Sequence, residues 1–539
     1  MADNGDRGEV GDFIGCPAQG RHPGAGFIKS AGAGCHHAQI PQESTTKARM
    51  QEVELKFQIP QAARKGVLAA MAPRGQAAPP RTRLQAIYFD TADRQLAAAG
   101  IALRLRKEGR RWVQTLKAGG PNALQRLEHN VEVTVAVGLR PGVDQARHAG
   151  TPAGELLSAT LAAAGQPLQE TFATDIWRRT RQVRTRLGTL EIALDDGWIT
   201  AAGHKLAVHE LEIELVTGQP RAVIAEARRW VQAHGLWLDL RTKAHRGDQL
   251  ARGLTTPAAH AKLPGFAADL GLAAASRRLH AGLLDAVLMN ASALAAGEGQ
   301  PEHVHQLRVG LRRLRATWSL LEGCPALPDA ATQDIVVALF RRLGEARDSD
   351  VLGTLLPVLK AHGGPELSGE TSHAAGGPDL AALLAAPEAT QLWLSLLDAA
   401  LDDPGDATLP SLLETAVPRL RDWHRKARRD ARRFAELDIE ERHTLRKRLK
   451  RLRYGIDSLG GLLPRKAVRA HLKALRPAQE ALGDLNDSAV AQERFAELVT
   501  HEPRAWFALG WLAARREEAV ARTTALLGAW ADAPKFWKE

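Results

Sequence analysis

The run Glu52-Val53-Glu54-Leu55-Lys56 sets a charge at every second position. In an extended strand, residues two apart share one face, so Glu52, Glu54 and Lys56 lie together, opposite Val53, Leu55 and Phe57. The same alternation puts Arg104 and Arg106 on one face against Leu103 and Leu105, with Lys117 on the strand that follows. It groups Arg126, Glu128 and Glu132, and it groups Glu210, Glu212 and Glu214 against Leu211, Ile213 and Leu215. For any one strand, a half-buried sheet with a solvated outer face is the plain explanation. Such a face normally mixes Thr, Ser, Lys and Gln, whereas these positions are nearly all Glu, Arg or Lys, segregated strand by strand. If the sheet closes, the charges converge on a lumen that contains both signs. Arg and Lys there would neutralise phosphate oxygens, Arg by bidentate contact. Carboxylates repel phosphate, so a divalent cation must stand between them, as Mg²⁺ commonly does. A second metal could orient an attacking water.

A second pattern has the helical period. His305, Arg308, Arg312 and Arg315 are spaced by three and four, with Arg313 beside them. His443, Arg446, Lys450 and Arg453 repeat the same offsets, with Lys447 beside them. Such spacing places each set on one helical face. The match continues downstream, from Leu343-Gly344 to Arg347-Asp348 in one copy and from Leu482-Gly483 to Asn486-Asp487 in the other. This is a duplicated helical unit. Residues 421–453 hold 14 Lys/Arg against 6 Asp/Glu, so like charges stack where a solvated helix would intersperse signs. A polyanion bound along the face would relieve that repulsion. For Asp348 and Asp487, capping or pairing with the arginine rows is the expected role.

The elements that must hold these residues fall into two halves. Predicted strands cover Glu52–Ile59, Leu84–Asp90, Ala102–Arg106, Trp112–Lys117, Arg126–Val137, Asp175–Val183, Leu190–Leu194 and Lys205–Val216. One amphipathic helix is predicted over 221–234, and an antiparallel sheet or closed barrel fits 50–250. Residues 251–266 read as a linker, and 267–539 as an all-α bundle with pseudo-repeats at about 270–400 and 405–535. Residues 361–388 read as a Gly/Pro-rich loop within it. Residues 1–49, glycine-rich and without apolar periodicity, read as a disordered or non-native extension before Met50.

Composition narrows the classes. The chain has 539 residues and a net charge of +11, which favours a polyanionic partner. Three cysteines exclude a disulfide framework and a four-cysteine zinc site, and the expected setting is cytoplasmic. No apolar stretch is long enough to span a membrane, so no membrane partner is expected. Nucleic acid is disfavoured, because aromatic residues for base stacking are not interleaved with the basic ones.

Glu52-Val53-Glu54-Leu55-Lys56 resembles the ExExK signature of the CYTH family, the triphosphate tunnel metalloenzymes. Five further stretches follow in the family's order: Tyr88-Phe89-Asp90-Thr91, Leu103-Arg104-Leu105-Arg106, Thr115-Leu116-Lys117, Asp195 with its neighbours, and Glu210 to Glu214. Near the end, Thr242-Lys243-Ala244-His245-Arg246-Gly247 is similar to the family's SKxxRG, with Thr for Ser. The resemblance implies an eight-stranded antiparallel tunnel that hydrolyses triphosphates with Mg²⁺ or Mn²⁺. It implies that Glu52, Glu54, Asp195, Glu210, Glu212 and Glu214 hold metal. It also implies that Lys56, Arg104, Arg106, Lys117, Arg126 and Lys243 grip phosphates. The resemblance implies one or two more basic residues from DIWRRTRQV, where Arg178 is preferred and Arg179 and Arg181 are the alternatives. Glu52, Glu54, Lys56, Glu128 and Glu132 make up the expected catalytic set. The helical half resembles the CHAD domain, which implies two bundles of about four helices across a basic groove for inorganic polyphosphate. His305, Arg308, Arg312, Arg313, Arg315, His443, Arg446, Lys447, Lys450 and Arg453 would line it. The expectation is an inorganic triphosphatase that also binds polyphosphate, at polyphosphate granules in the cytoplasm. The alternative is a catalytically weak polyphosphate-binding protein.

Overall fold

Period-two sequence becomes strand at all eight expected places. A computed structural model describes residues 51–537 apart from 73–74, 76, 123, 137, 267–269, 368–378 and 402–409, without side chains for 51, 121–122 and 345–354. The expected disordered extension 1–49 and the side chains of Arg347 and Asp348 therefore lie outside the described residues. Residues 368–378 of the expected 361–388 loop and residues 402–409, between the two helical repeats, do so as well. The end of that expected loop is helical instead, over Leu380–Ala385 and from Pro387 on, where Asp379 caps an Ala/Leu run.

The strands are β1 (Gln51–Gln58), β2 (Thr82–Asp90), β3 (Ala102–Glu108), β4 (Arg111–Asn122), β5 (Gln125–Val133), β6 (Gln169–Arg184), β7 (Gly188–Ala201) and β8 (His204–Gly218). They run antiparallel in the order β5-β4-β3-β2-β6-β7-β8-β1, and β1 also pairs with β5, so the sheet closes. A two-residue strand, β9 (Trp237–Leu238), pairs with the end of β1. Several strands run past their predicted ends, because cross-strand hydrogen bonds carry the ladder into residues without clean alternation. The run predicted to reach Val137 instead stops at Val133.

Closure turns the charges inward and the apolar residues outward. Val53, Leu55 and Phe57 of β1 and Leu211 and Ile213 of β8 are buried outside the barrel. They pack on Val223, Ala227 and Val231 of a helix, Arg221–His234, whose span is as predicted. The remaining barrel helices, Arg64–Ala70, Gln95–Ala98, Pro152–Ala164 and Lys243–Arg252, carry no long apolar stripe and went unread in the sequence. With Arg221–His234 they are α1 (Arg64–Ala70), α2 (Gln95–Ala98), α3 (Pro152–Ala164), α4 (Arg221–His234) and α5 (Lys243–Arg252).

The second half contains α6 (Leu272–Ala295), α7 (Pro301–Leu320), α8 (Ala330–Ala361), α9 (Leu380–Ala385) and α10 (Pro387–Ala399), then α11 (Leu412–Arg432), α12 (Ile439–Leu459), α13 (Arg465–Leu498) and α14 (Trp506–Asp532). Helices α7 and α12 carry the two basic rows, and α8 and α13 carry the downstream repeats. Leu284, Leu288, Trp393 and Leu397 of α6 and α10 join the apolar cluster that covers the barrel's outer face. The expected linker is irregular beyond Arg252 but tightly held. Ala259 exchanges two hydrogen bonds with the Asn290 amide, at 3.0 and 2.8 Å, and the Thr256 carbonyl meets His303 Nε2 at 3.0 Å. The two halves therefore share one core rather than hanging from a tether.

Helix α5 lies across the barrel, with Ala244, Leu250 and Ala251 packed against Tyr88, Phe172 and Ile176. Gly247 is where it comes closest: a Cβ there would sit 2.2 Å from the Phe172 ring. Gly247→Ala should thus destabilise the protein by about 1–3 kcal/mol through overpacking, read as a lower urea midpoint with unchanged slope. An unshifted midpoint would show that α5 is free to move off the barrel.

Candidate active site in the barrel lumen

Strand pairing places the inward side chains in rungs. Asp195 stands opposite Glu210, and Glu210 opposite Gln58. The next rung pairs Glu212 with Lys56, and the one after pairs Glu214 with Glu54 and with Glu191. Glu52 faces Arg126, and Lys117 faces Glu128. The carboxylates lie out of solvent: Glu52 is 4% exposed, Glu54 7%, Asp195 1%, Glu210 1% and Glu212 8%. The solvated-face explanation is thereby excluded for these strands.

Among the described residues, one group of three acids has ligand atoms within 4.8 Å of one another: Asp195, Glu210 and Glu212. All its donors are carboxylate oxygens, the set that Mg²⁺ and Mn²⁺ take. Lys243, at the first position of α5, reaches all three, with Nζ 2.8 Å from Asp195, 2.5 Å from Glu210 and 2.9 Å from Glu212. Arg178 donates to both Asp195 oxygens, at 2.6 and 2.7 Å, and also to Glu212. Against the cost of burial, Arg178 and Lys243 hold Asp195 below the usual carboxylate range, and Lys243 and Arg178 hold Glu212 well below it. Arg179 and Arg181 point the other way, toward the carbonyls of Pro79 and Ala70. Of the three arginines in that stretch, only Arg178 meets the acids.

The metal set implied by resemblance has six acids, and the geometry gathers three of them. Glu52 and Glu54 fall outside that group and have ammonium partners of their own. Lys117 Nζ lies 2.6 Å from Glu52 and 3.7 Å from Glu54, and Lys56 pairs with Glu54. Burial and the charge of Glu54 push the Glu52 carboxyl up to about 8, against the pull of Lys117. Glu54, despite its burial, is held at about 2 by Lys117 and Lys56. Glu214 is half-buried, two residues beyond the triad on the same face of β8. Glu128 lies 3.7 Å from Lys117 and accepts from Asn130 at 3.0 Å. Glu132 shares its face but is 59% exposed beside Arg111, at the solvent end and away from the expected catalytic group.

Three guanidiniums, Arg104, Arg106 and Arg178, crowd one region. Burial and the charge of Arg104 push Arg106 down to about 10, despite its pairing with Glu108. The Nε atoms of Arg104 and Arg106 are buried without a hydrogen-bond partner. A region of that kind is prepared for an anion. Tyr88 accepts from Arg104 at 3.2 Å.

Four inward residues escaped the sequence reading. Gln58 continues the Glu52-Glu54-Lys56 alternation and donates to Glu210 and Asp239, both at 3.0 Å. Glu191 precedes Asp195 by two alternations on β7. Arg246 lies one turn after Lys243 on α5 and pairs with Glu210. Tyr88 and Arg246 enter the sequence analysis only as parts of motifs, with no role of their own. All but Tyr88 carry a spacing signal.

The helical rows pack each against the next helix. Arg308 donates to the Phe340 carbonyl at 3.1 Å, and Arg308, Arg312 and Arg315 lie 4.5, 5.9 and 5.4 Å from the Phe340 ring. His443 meets Asn486 at 3.0 Å, and Arg446 approaches Asp487 at 3.8 Å, as expected of that aspartate. Arg312 and Arg313 reach across to the Tyr454 ring of α12, at 6.0 and 5.5 Å, so the two rows adjoin. His305, Arg308, Arg312, Arg313 and Arg315 are half-buried, as are His443, Arg446 and Lys450, while Lys447 and Arg453 are exposed.

A family model described as CYTH domain matches residues 50–247, and one described as CHAD domain matches residues 278–496. Two uncharacterised proteins of Mycobacterium tuberculosis, from strains CDC 1551 / Oshkosh and ATCC 25618 / H37Rv, are each 27% identical to the chain over 502 residues. The match takes in 85% of this chain and 90% of each relative. The crystal structure of a CHAD domain from the plant Ricinus communis is 30% identical, covering 51% of this chain and 97% of that one, with a TM-score of 0.40. A putative adenylyl cyclase from Hippeastrum, described as having a dominant triphosphatase activity, is 17% identical. It covers 38% of this chain and 98% of its own, with a TM-score of 0.26.

The raised Glu52 has a consequence for stability. The folded protein holds that proton more tightly than the unfolded chain, whose carboxyl titrates near 4.5. Its contribution is complete below that pH and is lost as pH rises through about 8. In EDTA, Glu52→Gln should gain stability relative to the native protein between about pH 5 and pH 9. A gap that does not change with pH would show Glu52 ionised throughout.

Proposed function

The chain carries a CYTH domain in its barrel and a CHAD domain in its helical half, and on that footing we propose that it hydrolyses inorganic triphosphate or short polyphosphate in the lumen. The observation that supports this most is the Asp195–Glu210–Glu212 triad, set beside Arg178 and near unpartnered guanidinium nitrogens. CYTH domains are metal-dependent, and Asp195, Glu210 and Glu212 would hold Mg²⁺ or Mn²⁺, with Glu52, Glu54 and Glu214 within the same wall. A divalent ion there would polarise the terminal phosphoryl group and orient water.

The chain's own residues do the rest. Arg104, Arg106 and Arg178 take the non-bridging oxygens, and Lys56, Lys117 and Arg126 extend the cationic wall. Lys243, released from the acids, turns to the phosphate. Glu128, kept ionised by Lys117 and Arg104 against its burial, orients a water molecule. Water oxygen bonds to the terminal phosphorus and its proton passes to solvent, while the bridging P–O bond breaks and diphosphate leaves from triphosphate, or the shortened chain from a longer one. Positioning and charge neutralisation supply most of the rate. The rows on α7 and α12 bind long polyphosphate and bring the enzyme to granules of it. Among the described residues no helix is long and apolar enough to cross a membrane.

One observation favours the weaker alternative, a binding protein with a nearly silent barrel: the Lys243 ammonium competes with metal for all three acids. Phosphate release from triphosphate decides between them. Release should require Mg²⁺ or Mn²⁺, and Glu212→Gln or Arg178→Ala should lower kcat about 100-fold. No metal-dependent release by the native protein, or unchanged release by Glu54→Ala, would defeat the enzymatic reading.

For the helical half, Arg308→Ala combined with Arg446→Ala should weaken long-polyphosphate binding. The slope of log affinity against log salt should flatten by about two phosphate contacts. Equal binding by the double variant would remove the rows from the site.

A further inference from the structure

A cavity of about 660 Å³ lies between α11 and the C-terminal residues, and no residue of the rows on α7 and α12 lines it. Its wall includes Arg421, His424, Arg425, Arg428, Lys535 and Trp537. Neither the alternating strands nor the duplicated rows account for it.

Charge on this wall is unbalanced. Arg425 pairs with Asp422 at 2.5 Å, Arg429 with Asp430 at 3.2 Å, Arg432 with Asp532 at 2.9 Å and Arg433 with Glu436 at 3.4 Å. Arg428 has only a distant share of Asp532, at 3.8 Å, and its buried Nε lacks a hydrogen-bond partner. Arg421 and Lys535 lie 5.6 and 5.8 Å from the Trp537 ring, and among the described residues no carboxylate stands within salt-bridge reach of either.

His424 is the second, independent observation. It is 3% exposed, lines the cavity, and its buried Nε2 has no partner. Its neighbour His471 is fully engaged, with Trp530 donating to Nε2 at 3.2 Å and Nδ1 meeting the Pro534 carbonyl at 3.0 Å. Trp537 closes on the His424 ring edge-on, with centroids 5.0 Å apart. Burial first, then His471, Arg428 and Lys535, push His424 down to about 4, so its ring is neutral at ordinary pH.

We propose that this cavity is a second anion site, separate from the histidine–arginine rows and from the lumen, for a compact ligand with several phosphoryl groups. The volume is that of a small-molecule site rather than a track for a long polymer. Three weakly balanced cations within it match the charge density of an oligophosphate. Guanidinium forks and an ammonium suit phosphoryl oxygens. A neutral His424 protonated on Nε2 would donate one further hydrogen bond.

Calorimetry of the full chain with inorganic triphosphate in EDTA tests this. The Arg178→Ala protein should retain a binding event that does not involve the lumen. Adding Arg421→Ala, Arg428→Ala and Lys535→Ala should weaken that event at least tenfold. The three substitutions alone should leave metal-dependent hydrolysis unchanged, so failure here and failure of the triphosphatase reading are told apart. The proposal is overturned if Arg178→Ala abolishes all binding or if the triple substitution changes nothing. Loss on Arg308→Ala with Arg446→Ala instead would place the event on the rows and overturn it equally. Citrate binding as tightly as triphosphate would overturn the phosphoryl assignment.

Discussion

Charges taken out of water must find opposite charges or change their protonation, and the barrel is organised around that requirement. Asp195, Glu210 and Glu212 are almost wholly buried, and each is met by Lys243, with Arg178 and Arg246 completing the set. Where the pairing is uneven, protons compensate. Glu52 and Glu54 share two ammonium groups, and burial together with the ionised Glu54 leaves Glu52 with a high affinity for its proton. The barrel is thus polar inside, and its apolar side chains must be covered from without.

That inversion explains the helical half's position. Val53, Leu55, Phe57, Leu211 and Ile213 would be an exposed apolar wall on an isolated barrel. Helices α4, α6 and α10 bury them, and a buried ion pair ties the same region together. Arg241 is joined to Asp239 at 2.9 Å and to Glu298, beyond the end of α6, at 2.8 Å. Through Gln58, Asp239 is one hydrogen bond removed from Glu210. The acids of the lumen and the first helical repeat are therefore mechanically continuous.

The helical rows obey a milder form of the same constraint. Like charges stacked at three and four residues repel along α7 and α12. The guanidiniums on α7 lie by Phe340 and Tyr454, whose rings offer partial compensation, while on α12 Asn486 and Asp487 serve. The repeats are alike in their basic helices and in the long helices α8 and α13 that follow, and unlike in their last helices. The first ends in the short α10 against the barrel, the second in the long α14 against α13 and α11.

Strand alternation, the duplicated rows, the span of α4 and the inward residues were all legible in the chain, because period determines which residues share a face. Gln58 and Glu191 carry the same alternation just beyond the motifs, while Arg246 lies within the Thr242–Gly247 motif, one helical turn after Lys243. Helices α3 and α5 were not legible, having caps but no apolar stripe. Which acids form one cluster was decided only in three dimensions. Asp195, Glu210 and Glu212 meet because β7 pairs with β8, while Glu52 and Glu54, of the same residue type and spacing, face lysines across β4 and β1. Likewise, Arg178 rather than Arg179 or Arg181 reaches the acids because closure selects one face of β6. Sequence determines the faces, whereas register and closure, set by long-range hydrogen bonds and by the outer apolar core, determine which faces meet.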